Sequence, residues 1–251
     1  GAHVLRYQRH GEPASLWLRD KAILDGSKPI RGGIPLCWPW FGPSPARVGS
    51  GKPAHGFARN CLWTLDGVSD HGDGTLVHLS LRDNDASRTL WPHAFELELD
   101  VLVGKELSLV LTTRNTGKSA LTYNAALHTY LQISAPEAVT VTGLGEPYLD
   151  KLTGRNELQQ GALTVTAAMD RIYRQPDAMV SVQDGERTTR VVNGNHDSVV
   201  VWTPWQEGAS AMADMSDNGY RTMLCVEAAI TAEDGITVQP DEEHSFSTVI
   251  I

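Results

Sequence analysis

Residues 96–103 read ELELDVLV, and the alternation decides what kind of chain this is. Leu97, Leu99, Val101 and Val103 fall on one side of an extended backbone, and Glu96, Glu98 and Asp100 on the other. After the turn Gly104–Lys105, residues 107–113, LSLVLTT, take up the same period, so the two segments read as a hairpin with one apolar face. Outward from this hairpin, strand signals recur at 75–81, 121–134, 138–142, 162–168, 178–183, 198–203, 222–230, 235–239 and 245–251. Turn residues punctuate them: DHGDG at 70–74, NTGKS at 115–119, QDGE at 183–186, NGNHD at 193–197 and EDG at 233–235. No segment keeps a 3.6-residue apolar stripe over three turns, and short helical turns are expected only near 84–90 and 214–219. The pattern predicts an all-β chain folded as a large antiparallel β-sandwich. Without a low-complexity linker or an internal repeat, it is expected to form one domain over residues 1–251.

Composition narrows the function. A net charge of −9 over 251 residues argues against nucleic-acid binding, which needs a basic face. No apolar run approaches the ~20 residues of a membrane span, and the N-terminal GAHVLRYQRH lacks the apolar centre of a signal peptide. Cys37, Cys61 and Cys225 are odd in number and far apart, without CxxC or zinc-ligand spacing. Reduced thiols and a cytoplasmic location are the expectation.

One stretch departs from the strand pattern. Residues 31–42, RGGIPLCWPWFG, lead through a Pro/Gly/Ser-rich loop to HGFAR at 55–59. Arg31 and Arg59 offer planar forks of donors suited to phosphate or carboxylate. Trp38 and Trp40 offer flat apolar faces suited to a sugar, or else fill the core. Pro39 between them blocks a regular strand interior. The segment suits an anionic small molecule; the plainer alternative is a pair of salt-bridged arginines. His55, opening the second block, reads as a ligand donor or a turn residue.

Two strands carry candidate acid–base groups. In LTYNAALHTYLQIS, 121–134, alternation puts His128 on a polar face with Asn124, Tyr130 and Gln132. It is either a hydrogen-bonded structural residue or a general acid. In TMLCVEAAI, 222–230, Glu227 stands in the middle of an apolar strand on the face of Met223, Cys225 and Ala229. A buried unpaired carboxylate is costly, so it is paired with an arginine or faces a cavity with a raised pKa, as a general base does. Asp170, in a loop after a strand and close to Arg171 and Arg174, is a turn residue or an acceptor for sugar hydroxyls. There is no phosphate-cradling glycine loop, GxSxG elbow or HExxH motif.

RGGIPLCWPWFG, HGFARN at 55–60, WPHAF at 91–95, LHTYLQIS at 127–134, GLGEPYLDK at 143–151, MDRIY at 169–173 and MLCVEAA at 223–229 together resemble the D-hexose-6-phosphate mutarotases. These belong to the aldose 1-epimerase, or galactose-mutarotase-like, superfamily. The resemblance runs in order over roughly residues 5 to 250. It implies a large antiparallel β-sandwich, in agreement with the strand reading. It also implies interconversion of the α and β anomers of an aldohexose 6-phosphate, most simply glucose 6-phosphate, by ring opening and closure. Under it His128 is the catalytic acid and Glu227 the catalytic base. Arg31, Arg59 and Asp170 bind substrate under it, the arginines reading the phosphate; the residues themselves add His55 as a donor and Trp38 as an apolar wall of the substrate site. No metal or cofactor is expected, and a monomer suffices. Some family members carry a glutamine just before the HG pair; here that position is Ala54. The alternatives are an aldose 1-epimerase for free sugars and a non-catalytic carbohydrate-binding sandwich.

Overall fold

The structure, a computed structural model, describes residues 1–20, 22, 24–26 and 28–251. Two large antiparallel sheets dominate it. One has nine strands in the spatial order Leu163–Thr164, Val139–Thr142, Met179–Asp184, Arg187–Gly194, Glu243–Ile250, Leu107–Asn115, Phe95–Gly104, Gly74–Arg82 and Thr64–Asp70. The other runs Leu36–Cys37, Ala125–Leu127, Met223–Ile230, Ser198–Thr203, Met169–Tyr173, Pro147–Asp150 and Arg155–Leu158, with Tyr130–Gln132 as an eighth strand also paired to Met223–Ile230. A small pair, Leu121–Tyr123 with Ile236–Val238, lies outside both.

The alternation of ELELDVLV does what the sequence predicts. Leu97 and Leu99 are fully buried, as are Leu109 and Leu111 on the partner strand, and they meet Leu127, Val199, Val201, Leu224 and Val226 of the eight-stranded sheet in one apolar cluster. Only Val103, at the hairpin end, is exposed. Burying a side chain of this size stabilises by roughly 1.5–3 kcal/mol, so the stripe accounts for the pairing of the two sheets.

Several elements differ from the sequence reading. The stretch 121–134 is three short strands, because the chain turns at Asn124 and again at His128–Thr129. The strand expected at 162–168 shrinks to Leu163–Thr164. Thr64–Asp70, Pro147–Asp150, Arg155–Leu158, Met169–Tyr173 and Arg187–Gly194 are strands without a complete apolar alternation. The helical turn near 84–90 is Asp85–Leu90, held by a capping box between Asn84 and Ser87. At 214–219 hydrogen-bonded turns lead into a 3₁₀ turn at Gly219–Thr222, and a helix not expected from the sequence forms at Trp205–Ala211.

Candidate active site

Met223–Ile230 is buried along its whole length and has partners on both sides. Its register with the interrupted strand beside it is continuous: Ala228 faces Leu127 and Cys225 faces Tyr130, so Glu227 lies across from His128. On its other side Glu227 faces Val200 and Cys225 faces Trp202, while Trp202 faces Asp170. Alternation therefore gathers Asp170, Val200, Trp202, Cys225, Glu227, His128 and Tyr130 on the face of the sheet turned away from the core. Asp170 stands on the strand Met169–Tyr173, not in a loop as its sequence suggests.

Above this face is a cavity of about 250 Å³. His128, Glu227, Tyr130 and Trp202 line its floor, and Arg31, Arg59, His55, Phe41, Lys151, Asp170 and Met212 complete its wall. The structure thus brings together six of the seven residues singled out from sequence: His128, Glu227, Arg31, Arg59, Asp170 and His55.

Trp38 is the correction. Its ring is fully buried among Phe57, Trp91, Phe95 and Tyr123, and its Nε1 donates to Thr113 Oγ1 at 3.1 Å. It is core filling, and Trp40, 1% exposed with its Nε1 donating to Pro53 O, is also interior. The aromatic wall of the cavity is Trp202 and Phe41 instead. Trp38 still positions the site through its backbone: its carbonyl accepts from the Phe57 amide at 2.9 Å. Gly56 makes this approach possible, with φ of +70° and a position where a Cβ would fall 1.9 Å from that same carbonyl oxygen. Only glycine lets HGFAR lie this close to WPW.

Glu227 is 1% exposed, and neither carboxyl oxygen has a hydrogen-bond partner within the chain. His128 Nδ1 comes within 3.3 Å of Oε1, near enough for strong coupling but out of line for a hydrogen bond. Burial pushes the Glu227 carboxyl well above its ordinary range; Asp170 adds to this, while Lys151 and Arg59 oppose it. Burial pushes His128 well below its ordinary range, helped by His55 and Arg59. Both directions disfavour charge, favouring a neutral imidazole beside a protonated carboxyl.

The imidazole plane is fixed from both sides of the chain. Tyr130 stacks on His128 at 4.8 Å between ring centroids, Trp17 stacks behind Tyr130 at 5.9 Å, and Trp202 meets both edge-on. His55 approaches His128 edge-on at 5.7 Å. Burial, Arg59 and Lys151 lower its pKa to about 3, so it is neutral. Its Nδ1 accepts from the Gly42 amide at 3.3 Å. That assigns the proton to Nε2, leaving His55 a donor.

The cations are unequally occupied. Arg31 Nε donates to Asp214 Oδ2 at 2.8 Å, and Lys151 Nζ donates to Asp170 Oδ2 at 2.7 Å. Burial raises the Asp214 carboxyl, but Arg31 outweighs this and holds it below its ordinary range. Arg59 gives one bond to the carbonyl of Ala54 at 3.0 Å, and its buried Nε has no partner. Among the described residues it is the cavity cation without a carboxylate. The sequence reading missed Lys151, Trp202, Phe41 and Asp214. Tyr130 was visible beside His128, but its stacking role was not.

A family model described as aldose 1-epimerase matches residues 1–250. The chain belongs to the aldose 1-epimerase family. Two relatives carry the printed name "Putative glucose-6-phosphate 1-epimerase". The one from Salmonella typhimurium is 37% identical over 231 residues, covering 90% of this chain and 76% of the relative. The one from Escherichia coli K12 is 36% identical over 254 residues, covering 99% of this chain and 84% of the relative. A solved structure titled "Crystal Structure of a putative mutarotase (YeaD) from Salmonella typhimurium in monoclinic form" superposes with a TM-score of 0.93 at 33% identity, covering 100% of this chain and 83% of its own. In this aldose 1-epimerase family member, the buried pair and the cavity lie inside the matched region.

Proposed function

We propose that this protein interconverts the α and β anomers of an aldohexose 6-phosphate, with glucose 6-phosphate as the first candidate. The observation that carries the reading is the buried pair His128–Glu227, 3.3 Å apart, facing a cavity whose wall holds Arg31 and Arg59. The names of the relatives and of the solved structure point to the same chemistry.

Opening a hexose ring requires a base at the anomeric hydroxyl and an acid at the ring oxygen. Glu227 as carboxylate takes the hydroxyl proton while His128 as imidazolium gives its proton to the ring oxygen. The C1–O5 bond breaks and an aldehyde forms. The pair is now Glu227 carboxylic acid and neutral His128. Rotation about C1–C2 presents the other face of the aldehyde, and the reverse transfers close the ring. Across the cycle the pair holds one proton throughout, and nothing is oxidised or reduced.

The favoured protonation of the free site, neutral imidazole and carboxylic acid, matches the open-chain stage, so ring opening needs that proton on His128 when the closed sugar is bound. His55 Nε2–H and the Asp170–Lys151 pair supply a donor, an acceptor and a cation for ring hydroxyls. Trp202 and Phe41 face the apolar side of the sugar.

Anomer-exchange NMR with glucose 6-phosphate and free glucose tests this reading. Catalysed exchange of the phosphorylated sugar is expected. Faster exchange of free glucose would place the protein among mutarotases of unphosphorylated sugars, and saturable binding without exchange would make it a binding module.

A further inference from the structure

We propose that His128, Cys225 and Glu227 form an inhibitory site for a thiophilic divalent cation, of which zinc fits best. Cys225 has no part in the acid–base scheme, yet alternation puts it two residues from Glu227 on the same face of one strand. His128 stands across from Glu227 on the neighbouring strand. The Sγ of Cys225, a ring nitrogen of His128 and a carboxylate oxygen of Glu227 all lie within 4.8 Å of one another.

A second observation points to a ligand at this place. Glu227 and His128 are 1% and 8% exposed, and both Glu227 oxygens and the His128 Nδ1 lack hydrogen-bond partners within the chain. Buried polar atoms are ordinarily satisfied. Here the orphaned atoms converge with a thiol.

The donor set selects the ion. One sulfur, one nitrogen and one oxygen suit zinc, whereas magnesium and calcium prefer all-oxygen shells. Zinc bond lengths of about 2.3 Å to sulfur and ~2.0–2.2 Å to nitrogen and oxygen need donors roughly 3.3–3.7 Å apart. Small side-chain rotations from the present positions reach that. A fourth ligand, water, enters from the cavity that His128 and Glu227 line. On binding, the Cys225 S–H bond breaks and its proton goes to solvent, the sulfur keeping the electron pair that it gives to zinc. The Glu227 carboxyl likewise releases its proton.

Charge permits this. A thiolate and a carboxylate meet a doubly charged ion, Asp214 offsets Arg31 and Asp170 offsets Lys151, leaving Arg59 as the one cavity cation without a carboxylate among the described residues. The inhibitory consequence rests on the function proposed above, because the metal takes both groups that move the proton. Metal and sugar phosphate then compete.

Cobalt(II) titration of the whole protein, followed by absorption, reads the site without activity. A thiolate-to-cobalt charge-transfer band and the d–d bands of a four-coordinate site are expected, displaced by equimolar zinc and unaffected by magnesium. Cys225→Ser should abolish the charge-transfer band and weaken zinc binding ~10-fold or more. Cys225→Ala and Glu227→Gln are further variants should the serine misfold. Cys37, on the same sheet face as Glu227, and Cys61, near the N-terminal amine, are the competing thiols; Cys37→Ser and Cys61→Ser should leave the band intact. No band in the wild type, or a band lost in Cys37→Ser or Cys61→Ser and kept in Cys225→Ser, would overturn the site. In the exchange assay, micromolar zinc should slow glucose 6-phosphate anomerisation in a manner reversed by a chelator, and Cys225→Ser should resist it. Full activity with the site shown loaded would overturn the inhibitory role. A cobalt signal in a protein without anomerase activity would support the site while refuting the function.

Discussion

His128 Nδ1 and Glu227 Oε1 face each other at 3.3 Å across two strands, in a register that leaves neither a hydrogen-bond partner within the chain. On the function proposed above, this pair is the acid and the base of ring opening. Glu227→Gln and His128→Ala should each lower kcat for anomer exchange by ~10²–10⁴-fold with the circular dichroism spectrum unchanged. Wild-type turnover in either variant removes that residue from the mechanism.

The same burial writes a pH signature into stability. Glu227 is raised above its ordinary 4.5, so above that pH the folded protein holds a proton the unfolded chain has released, and stability falls as pH rises. His128 is lowered below its ordinary 6.5, so below that pH the unfolded chain takes a proton the folded protein refuses, and stability falls as pH drops. Glu227→Gln should remove the first slope. Its gain over wild type, from thermal melts at pH 5 to 8, should grow with pH by up to about 1.4 kcal/mol for each unit by which the carboxyl is raised. An unchanged slope means that Glu227 ionises freely in the fold.

Arg59→Ala should raise KM for glucose 6-phosphate ~10–100-fold, the worth of a hydrogen bond to a charged group, and leave free glucose nearly unaffected. Equal effects on both sugars would show that Arg59 reads something other than phosphate.

Arg31 already has an anion in Asp214. Asp214→Asn frees that guanidinium, so inorganic phosphate should inhibit the variant several-fold more strongly than wild type, with a steeper dependence on salt. Indifference to the substitution would place Arg31 outside the phosphate subsite.

Trp38 and Trp202 separate packing from recognition. Trp38→Ala should cost ~3–5 kcal/mol of stability, as large aromatic deletions in cores do. Trp202→Ala should raise KM with a smaller change in melting temperature. The reverse assignment would restore Trp38 to the site.

The place of Glu227, buried and facing a cavity, was legible because a carboxylate between Val226 and Ala228 is anomalous whatever surrounds it. His128 and Leu97 were legible for the same reason: a period of two fixes which face a side chain takes. Asp170 was misplaced because MDRIY has no alternation of its own; its strand exists through pairing with Ser198–Thr203 and Pro147–Asp150. Trp38 was misread because Pro39 argues against a strand but says nothing about direction, and the rings that enclose it come from residues 57, 91, 95 and 123. Lys151, Trp202 and Asp214 stand on three separate segments, which only tertiary contacts bring to one cavity.

Met223–Ile230 is bonded on both sides, whereas Arg31 and Asp214 sit in loops and Arg59 in a single 3₁₀ turn. Amides in the middle of such a ladder exchange with solvent only when the whole molecule opens, and loop amides exchange far sooner. Glu227 thus stands on backbone that opens only with the native state as a whole, while the loops and the turn that hold Arg31, Asp214 and Arg59 can rearrange within its lifetime. Substitutions around the cations can therefore reshape the wall of the cavity while the sheet that carries Glu227 stays as it is.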